Sequence, residues 1–159
     1  QAIFWVGEKN KKNIIFWDQL EKIVNKKYPS DLSVTNKKFS TISNLILKNN
    51  KNIKINKDNF KLITLTTKNL NSEIYNFQCH FGTFFEGQFK NLNSIKNIIT
   101  NKYQTLSYFG FEKDELKRFI SKNNLLGIDR IVPIGRSFDI GPIWDGYDII
   151  HSISRIIGE

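Results

Sequence analysis

The chain has 159 residues, 40% of them hydrophobic and 25% charged, which is typical of a folded domain that buries a core without disulfides or a structural metal. Its single cysteine, Cys79, excludes an intrachain disulfide and any zinc site built from several cysteines. No apolar run approaches the roughly 20 residues of a membrane span, and the first residues lack the pattern of a secretion signal. We therefore expect a cytoplasmic protein without a bound metal.

The net charge of +9 has two interpretations. Basic surfaces bind nucleic acid because they release counterions from the phosphates. However, Lys, Asn and Ile together form more than a third of the chain, and A/T-rich codons raise all three without any ligand. The chain also has only four arginines, the residue that nucleic-acid surfaces favour for bidentate contacts. We do not expect nucleic acid as the partner, and a basic nucleic-acid-binding module is the alternative.

The start of the chain is abrupt. It begins with Gln1 and contains no methionine. The apolar run Ala2–Val6 follows at once and predicts a buried strand. We expect from these features that the chain is a piece of a longer polypeptide.

The hydrophobic pattern of the first half predicts two helices and a further strand. Apolar residues recur at helical spacing over Asn13–Tyr28, which Pro29 ends, and again over Val34–Lys48. Asn49–Asn59 is polar and rich in lysine, so we expect an exposed connection there. Phe60–Thr66 is rich in β-branched residues and predicts a strand.

The second half alternates strand and helix patterns. Gly82–Phe89 predicts a strand, and the apolar spacing over Leu92–Asn101 predicts a helix. Tyr103–Ile134 predicts a strand, a helix over Glu112–Lys122 and a second strand, and such a unit requires the two strands to be parallel. We expect a last helix over Tyr147–Ile157 that turns its isoleucines inward. The predicted fold class is α/β, a mainly parallel sheet with flanking helices.

Cys79 and His80 are adjacent and offer a thiol beside an imidazole. Neighbouring residues in an extended segment point to opposite faces, so pairing these two side chains needs a bend. A free cysteine most often serves as a small buried apolar residue. We therefore predict a packing role for Cys79 and no part in catalysis.

The segment Ile128–Ile150 concentrates proline, glycine and aspartate. It follows a predicted parallel strand, and ligands in α/β folds bind beyond the carboxyl ends of such strands. We predict that this segment forms the wall of a pocket. The alternatives are that Asp145 only caps the last helix and that Trp144 belongs to the core. The candidate binding residues are Arg136, Asp139, Trp144, Asp145 and Tyr147.

The same segment carries a recognisable pattern. Its parts are Asp129–Arg136, Phe138–Asp148 with its Trp-Asp-Gly-Tyr-Asp run, and Ser154-Arg155; Tyr103–Gly110 with the helix after it, and the opening Gln1–Trp5, agree with it. Together they resemble the carboxyl-terminal end of LuxC-type acyl-CoA reductases, which belong to the aldehyde dehydrogenase superfamily. The Trp-Asp-Gly-Tyr-Asp run is the most specific part.

This resemblance implies that residues 1–159 are the carboxyl-terminal portion of an aldehyde-dehydrogenase-like catalytic domain. The nucleophilic cysteine then lies just before Gln1 and the NADPH-binding part lies further upstream, so the chain by itself is expected to be inactive and to hold no catalytic residue. In the family the cysteine thiolate attacks acyl-CoA, and hydride from NADPH reduces the acyl-enzyme to a fatty aldehyde. Gly135–Tyr147 is then expected to line the acyl or thioester entrance.

One part of the superfamily pattern is missing. Its Glu-Ile-Phe-Gly-Pro segment, whose Glu contacts the nicotinamide ribose, is not recognisable, because Glu73-Ile74-Tyr75 matches it too weakly. The resemblance therefore does not decide whether residues 1–159 contact the cofactor.

The resemblance also implies the partners. They are an acyl-CoA or acyl-protein substrate and the remainder of the same chain, and a homo-oligomer is left open. A third hypothesis is a non-catalytic interaction domain that keeps the fold without the chemistry. If the chain is a fragment, we expect an exposed apolar surface around Ile3, Phe4, Trp5 and the loop Gly135–Trp144.

Overall fold

The computed structural model describes residues 1–8, 11–28, 31–48, 53–59, 61–67, 70, 74, 81–155 and 157–158. The chain forms two compact units, Gln1–Ile98 and Ile99–Glu159. Four residues interpreted from sequence, Glu73, Tyr75, Cys79 and His80, lie outside the described residues.

A four-stranded sheet forms the centre of the first unit, and its strands are β1 Ala2–Val6, β2 Ile53–Asn59, β3 Leu62–Thr67 and β4 Thr83–Phe89. Their order in the sheet is β1-β4-β3-β2. Strand β4 is parallel to both of its neighbours, whereas β2 is antiparallel to β3. The sheet is therefore mainly parallel, and the α/β class is confirmed.

Two helices cover the opposite faces of this sheet. Successive strand residues point to opposite sides, so Phe84 of β4 packs with the core around Trp17, while Phe85 packs with the core around Leu45. Each helix thus closes one small core against the sheet, and the unit has three layers. The helices are α1 Lys12–Lys27, which carries Trp17, and α2 Leu32–Lys48, which carries Leu45.

The prediction of an exposed connection over Asn49–Asn59 is wrong, because Ile53–Asn59 forms strand β2. Ile53 packs against the core and pairs with Thr67 of β3. β2 lies at the edge of the sheet, and lysines are common on edge strands because they discourage pairing with another chain. The polar composition therefore indicates an edge strand.

The helix expected over Leu92–Asn101 is also wrong. A short 3-10 helix covers Leu92–Ile95, and turns follow it. Asn91 begins it, because its Oδ1 accepts a hydrogen bond from the amide of Ser94 at 3.1 Å. The tighter winding still brings residues three apart to one side, and Ile95 and Ile98 are both buried.

The second unit begins with the strand–helix–strand arrangement that the sequence predicts. The two strands are parallel, with Thr105 opposite Arg130. Leu116 and Phe119 form the buried edge of the helix. Its acidic residues lie in the first turn and a basic residue in the last, which complements the helix dipole. The elements are β5 Thr105–Tyr108, α3 Lys113–Lys122 and β6 Arg130–Pro133.

The last part of the chain differs from the predicted helix over Tyr147–Ile157. A hairpin of β7 Ile143–Trp144 and β8 Tyr147–Asp148 precedes a short helix, α4 Ile149–Ile153. Asp148 caps this helix in place of Asp145, since its Oδ1 accepts from the amide of His151 at 2.9 Å. The isoleucines that the structure describes in this segment are exposed instead of facing inward, Ile153 to 80%.

The expected apolar surface is found in one of its two places. Ile3, Phe4 and Trp5 are partly buried against the two cores, so the prediction is wrong for them. The loop after β6 does expose its apolar residues, with Phe138 92% and Ile140 83% accessible. Separately, none of the described helices combines the length and the apolar character needed to cross a lipid bilayer.

Candidate functional site

The candidate site is the loop of residues 134–142, which begins where β6 ends. The amide of Ile134 donates to the carbonyl of Tyr108 at the end of β5, at 3.0 Å. The hydroxyls of Ser107 and Ser137 are hydrogen-bonded at 2.9 Å. The loop therefore leaves from the carboxyl ends of two parallel strands, the edge at which α/β folds bind their ligands.

Arg136 and Asp139 form an ion pair within this loop, from Nε to Oδ2. A turn brings them together, since the amide of Asp139 donates to the carbonyl of Arg136 at 3.2 Å. Both side chains are at least half exposed, at 68% and 50%. Exposed ion pairs contribute little to stability, so the main effect of the pair is to orient the guanidinium.

Arg130, at the start of β6, contacts both the loop and the hairpin that follows it. Its Nη1 donates to the carbonyl of Ser137 and its Nη2 to the carbonyl of Asp139, both at 2.9 Å. The guanidinium carbon lies 4.2 Å from the ring centroid of Trp144, which is cation–π stacking. One side chain therefore joins the loop to the hairpin.

Asp145 has a conformational role in the hairpin turn. Its φ is 48° and that of Gly146 is 81°, and two positive values are typical of the type I′ turns that join short hairpins. Trp144 and Tyr147 pair directly across the turn. Tyr147 is 71% exposed, so it faces solvent.

Three of the five predicted site residues are brought together, because Arg136, Asp139 and Trp144 are linked through Arg130. Asp145 and Tyr147 belong to the hairpin. The sequence interpretation missed Arg130, although an arginine inside the apolar run Ile128–Ile134 is a signal of a specific partner. It also missed the hairpin, for which Asp-Gly is a strong local signal.

The arrangement is suited to binding an amphipathic anion. Arg136 presents a positive charge, and Phe138 and Ile140 present apolar surface within a few residues of it. The hydroxyls of Ser107 and Ser137 are hydrogen-bonded to each other, and among the described residues no base is bonded to either hydroxyl to activate it. This part of the chain is therefore equipped to hold a ligand, and it contains no assembled nucleophile.

No protein-family model matches the chain. No curated protein matches it significantly either.

Proposed function

We propose that this chain is the later part of the catalytic domain of an NADPH-dependent acyl-CoA reductase, and that Gly135–Tyr147 lines the entrance for the acyl thioester. The observation that carries the proposal is the loop beyond β5 and β6, where an oriented arginine lies beside exposed apolar side chains. Acyl-CoA combines the matching features, an apolar chain and a polyanionic carrier. The resemblance of the Asp129–Arg136 and Phe138–Asp148 segments to LuxC-type reductases supports the same substrate.

The roles within the loop follow from its chemistry. Arg136 binds an anionic group of the substrate, because a guanidinium fixed at Nε keeps its terminal nitrogens for a phosphate or carboxylate. Phe138 and Ile140 contact the acyl chain. Burial of each apolar side chain by a ligand contributes about 25 cal/mol per Å² of area removed from water.

The chemical step needs a group from outside this chain. A cysteine thiolate preceding Gln1 attacks the thioester carbon, the carbon–sulfur bond to CoA breaks, and the CoA thiolate leaves with the acyl group on the enzyme. The sequence has no glycine-rich dinucleotide loop. In this proposal NADPH is therefore bound mainly by the upstream part, and no step of this chain is assigned to it.

The alternative of a nucleic-acid-binding module has less support. One of the four arginines, Arg130, has both terminal nitrogens bonded to carbonyls of the loop and its face against the ring of Trp144. Phosphate recognition favours arginines with free donor groups. A nucleic-acid module predicts binding whose logarithm falls steeply with the logarithm of salt concentration.

The test uses the polypeptide extended upstream of Gln1. We expect acyl-CoA-dependent oxidation of NADPH, followed by the loss of its absorbance, over a series of acyl chain lengths. Arg136→Ala is expected to raise the KM for acyl-CoA roughly tenfold, since a hydrogen bond to a charged group contributes about 1.5–3 kcal/mol. Arg118→Ala, which changes an exposed arginine of α3, is the matched control and is expected to leave KM unchanged.

Two results would overturn the proposal. One is a folded extended polypeptide that oxidises no NADPH with any acyl-CoA. The other is the absence of a cysteine in the sequence before Gln1, which would favour the non-catalytic interaction domain.

A further inference from the structure

Arg130 connects three separate segments of the second unit. It belongs to strand β6, its two terminal nitrogens hold the carbonyls of Ser137 and Asp139 in the loop, and its face stacks on Trp144 of the hairpin. Arg130 is half-buried. These bonds to backbone carbonyls determine the path of the chain around Arg136.

The geometry of a guanidinium is needed for all three contacts. Its planar fork donates in two directions while its face remains available for an aromatic ring. A lysine ammonium is a point charge on a flexible stem, and it cannot bond both carbonyls and stack in the same way. The Arg130→Lys substitution therefore keeps the positive charge but removes the combination of two carbonyl hydrogen bonds and ring stacking.

The contact with Asp139 connects Arg130 to the binding group. Arg130 holds the backbone carbonyl of Asp139, and the carboxylate of the same residue holds Nε of Arg136. Displacing the Asp139 backbone would therefore move the guanidinium of Arg136 as well. The stacking of Arg130 on Trp144 connects the hairpin to the same guanidinium.

We propose that Arg130 is a positioning residue that sets the loop in its binding conformation before the ligand arrives, and that Arg136 alone of the two arginines meets the anionic group. This rests on the proposed function of the loop. Preorganisation raises affinity because the loop is already ordered, so the free energy of binding does not include the cost of ordering it. Such a residue affects ground-state and transition-state binding equally, so its loss raises KM and leaves kcat unchanged.

The experiment compares Arg130→Lys, Arg130→Ala and the control Arg118→Lys in the extended polypeptide. We expect both Arg130 variants to raise the KM for acyl-CoA roughly tenfold with kcat within about twofold of the parent. A purely structural role would instead lower the active fraction, and so kcat, without changing KM. Arg118→Lys is expected to match the parent in both constants.

A second readout does not depend on activity. Hydrogen exchange of the amide of Asp139, which donates to the Arg136 carbonyl, is expected to accelerate about tenfold or more in Arg130→Lys, while the amide of Leu116 in α3 keeps its protection. Trp144 emission is expected to change in the same variant, assigned by subtracting the spectrum of Trp144→Phe.

The outcomes separate the two proposals. Parental KM and parental exchange in Arg130→Lys would overturn the positioning role while the proposed function stands. An inactive extended polypeptide would overturn the proposed function, and the exchange and emission measurements would still decide whether Arg130 sets the loop.

Discussion

Trp17 donates its indole N–H to Glu86, at 2.8 Å from Nε1 to Oε1, and so ties helix α1 to strand β4. The same carboxylate oxygen accepts from the indole of Trp5 at 2.6 Å. One acidic side chain of β4 therefore satisfies the tryptophans of two consecutive elements, β1 and α1. Trp17 is buried, and a buried donor that loses its acceptor is costly, so the packing of α1 depends on the bond.

Glu86→Ala is expected to destabilise the first unit by about 1–3 kcal/mol, because two indole donors lose their acceptor. Urea unfolding followed by tryptophan fluorescence measures this, since Trp5 and Trp17 both lie at the site. Glu112→Ala is the control, because Glu112 is exposed and its side chain makes no cap hydrogen bond. An equal shift in both variants would contradict the role of Glu86.

Three glycines of the second unit form a graded series in which φ is positive throughout. A Cβ at Gly127 would lie 2.5 Å from the Cα of Asn101, one at Gly146 would lie 3.1 Å from Oδ1 of Asp129, and one at Gly110 would meet nothing within 4 Å. Alanine is thus expected to destabilise most at Gly127, less at Gly146 and least at Gly110. Because its added Cβ meets no atom, the Gly110→Ala variant measures only the cost of a positive φ for a residue with a side chain, about 1–2 kcal/mol.

Denaturant unfolding of these three variants, followed by circular dichroism, tests the order. If Gly146→Ala were no worse than Gly110→Ala, the close approach of the hairpin turn to Asp129 would be disproved.

Asp31 gives a pH-dependent prediction at the start of α2. Hydrogen bonds from the side chain and the amide of Ser33 lower the pKa of this carboxyl below its ordinary value, the amide lying 2.7 Å from Oδ1. A lowered folded pKa stabilises the protein above the unfolded pKa, about 3.9, and this contribution is lost as the pH falls through the folded value. Asp31→Ala is therefore expected to melt lower than the parent at neutral pH, with the difference narrowing below about pH 4.

Thermal melts at a series of pH values measure this difference. Asp31→Asn is the matched variant, because its amide oxygen still accepts from Ser33 without titrating, and its own stability is expected to lack the acid step of Asp31. If the difference in melting temperature between the parent and Asp31→Ala stayed constant across the pH range, the stabilising role of the ionised Asp31 carboxylate would be refuted.

The exposed apolar loop also gives a prediction that does not depend on catalysis. Phe138→Ser with Ile140→Ser is expected to reduce the fluorescence of a bound hydrophobic dye, since both side chains are largely accessible. Stability is expected to change by less than about 0.5 kcal/mol, because neither side chain is packed. Leu126→Ser removes another exposed apolar side chain, outside the loop, and is expected to leave the dye signal unchanged.

In the extended polypeptide, the same double substitution is expected to raise KM for long acyl chains more than for short ones. If KM rose equally for all acyl chain lengths, the acyl chain would not contact Phe138 and Ile140.

The strand–helix–strand from Thr105 to Pro133 could be predicted because its pattern and its connections are local. The helix α3 has an apolar edge at helical spacing and charges that match its dipole, so each residue agrees with the element that contains it. The same holds for β1, α1, α2, β3 and β4. The fold class follows from their order, since short crossovers require parallel strands.

The errors lie where the decisive partner is distant or the local turn was overlooked. Strand β2 exists because β3 supplies its hydrogen bonds, and no feature of Ile53–Asn59 alone shows that partner. The last helix begins later than predicted because Asp145 and Gly146 form a turn and Tyr147 pairs with Trp144 as a strand residue. The Asp-Gly pair was a readable signal, although the apolar spacing after it favoured a helix.

The sequence by itself determined the alternating α/β order, the position of the candidate loop after a parallel strand, and the candidates Arg136, Asp139 and Trp144. Periodicity and turn chemistry act between near neighbours, and they can be read without coordinates. Only the tertiary structure decided which arginine holds the loop and which faces the solvent. That choice depends on Arg130 meeting two carbonyls and a ring that come from different segments, and such convergence exists only once the chain has folded.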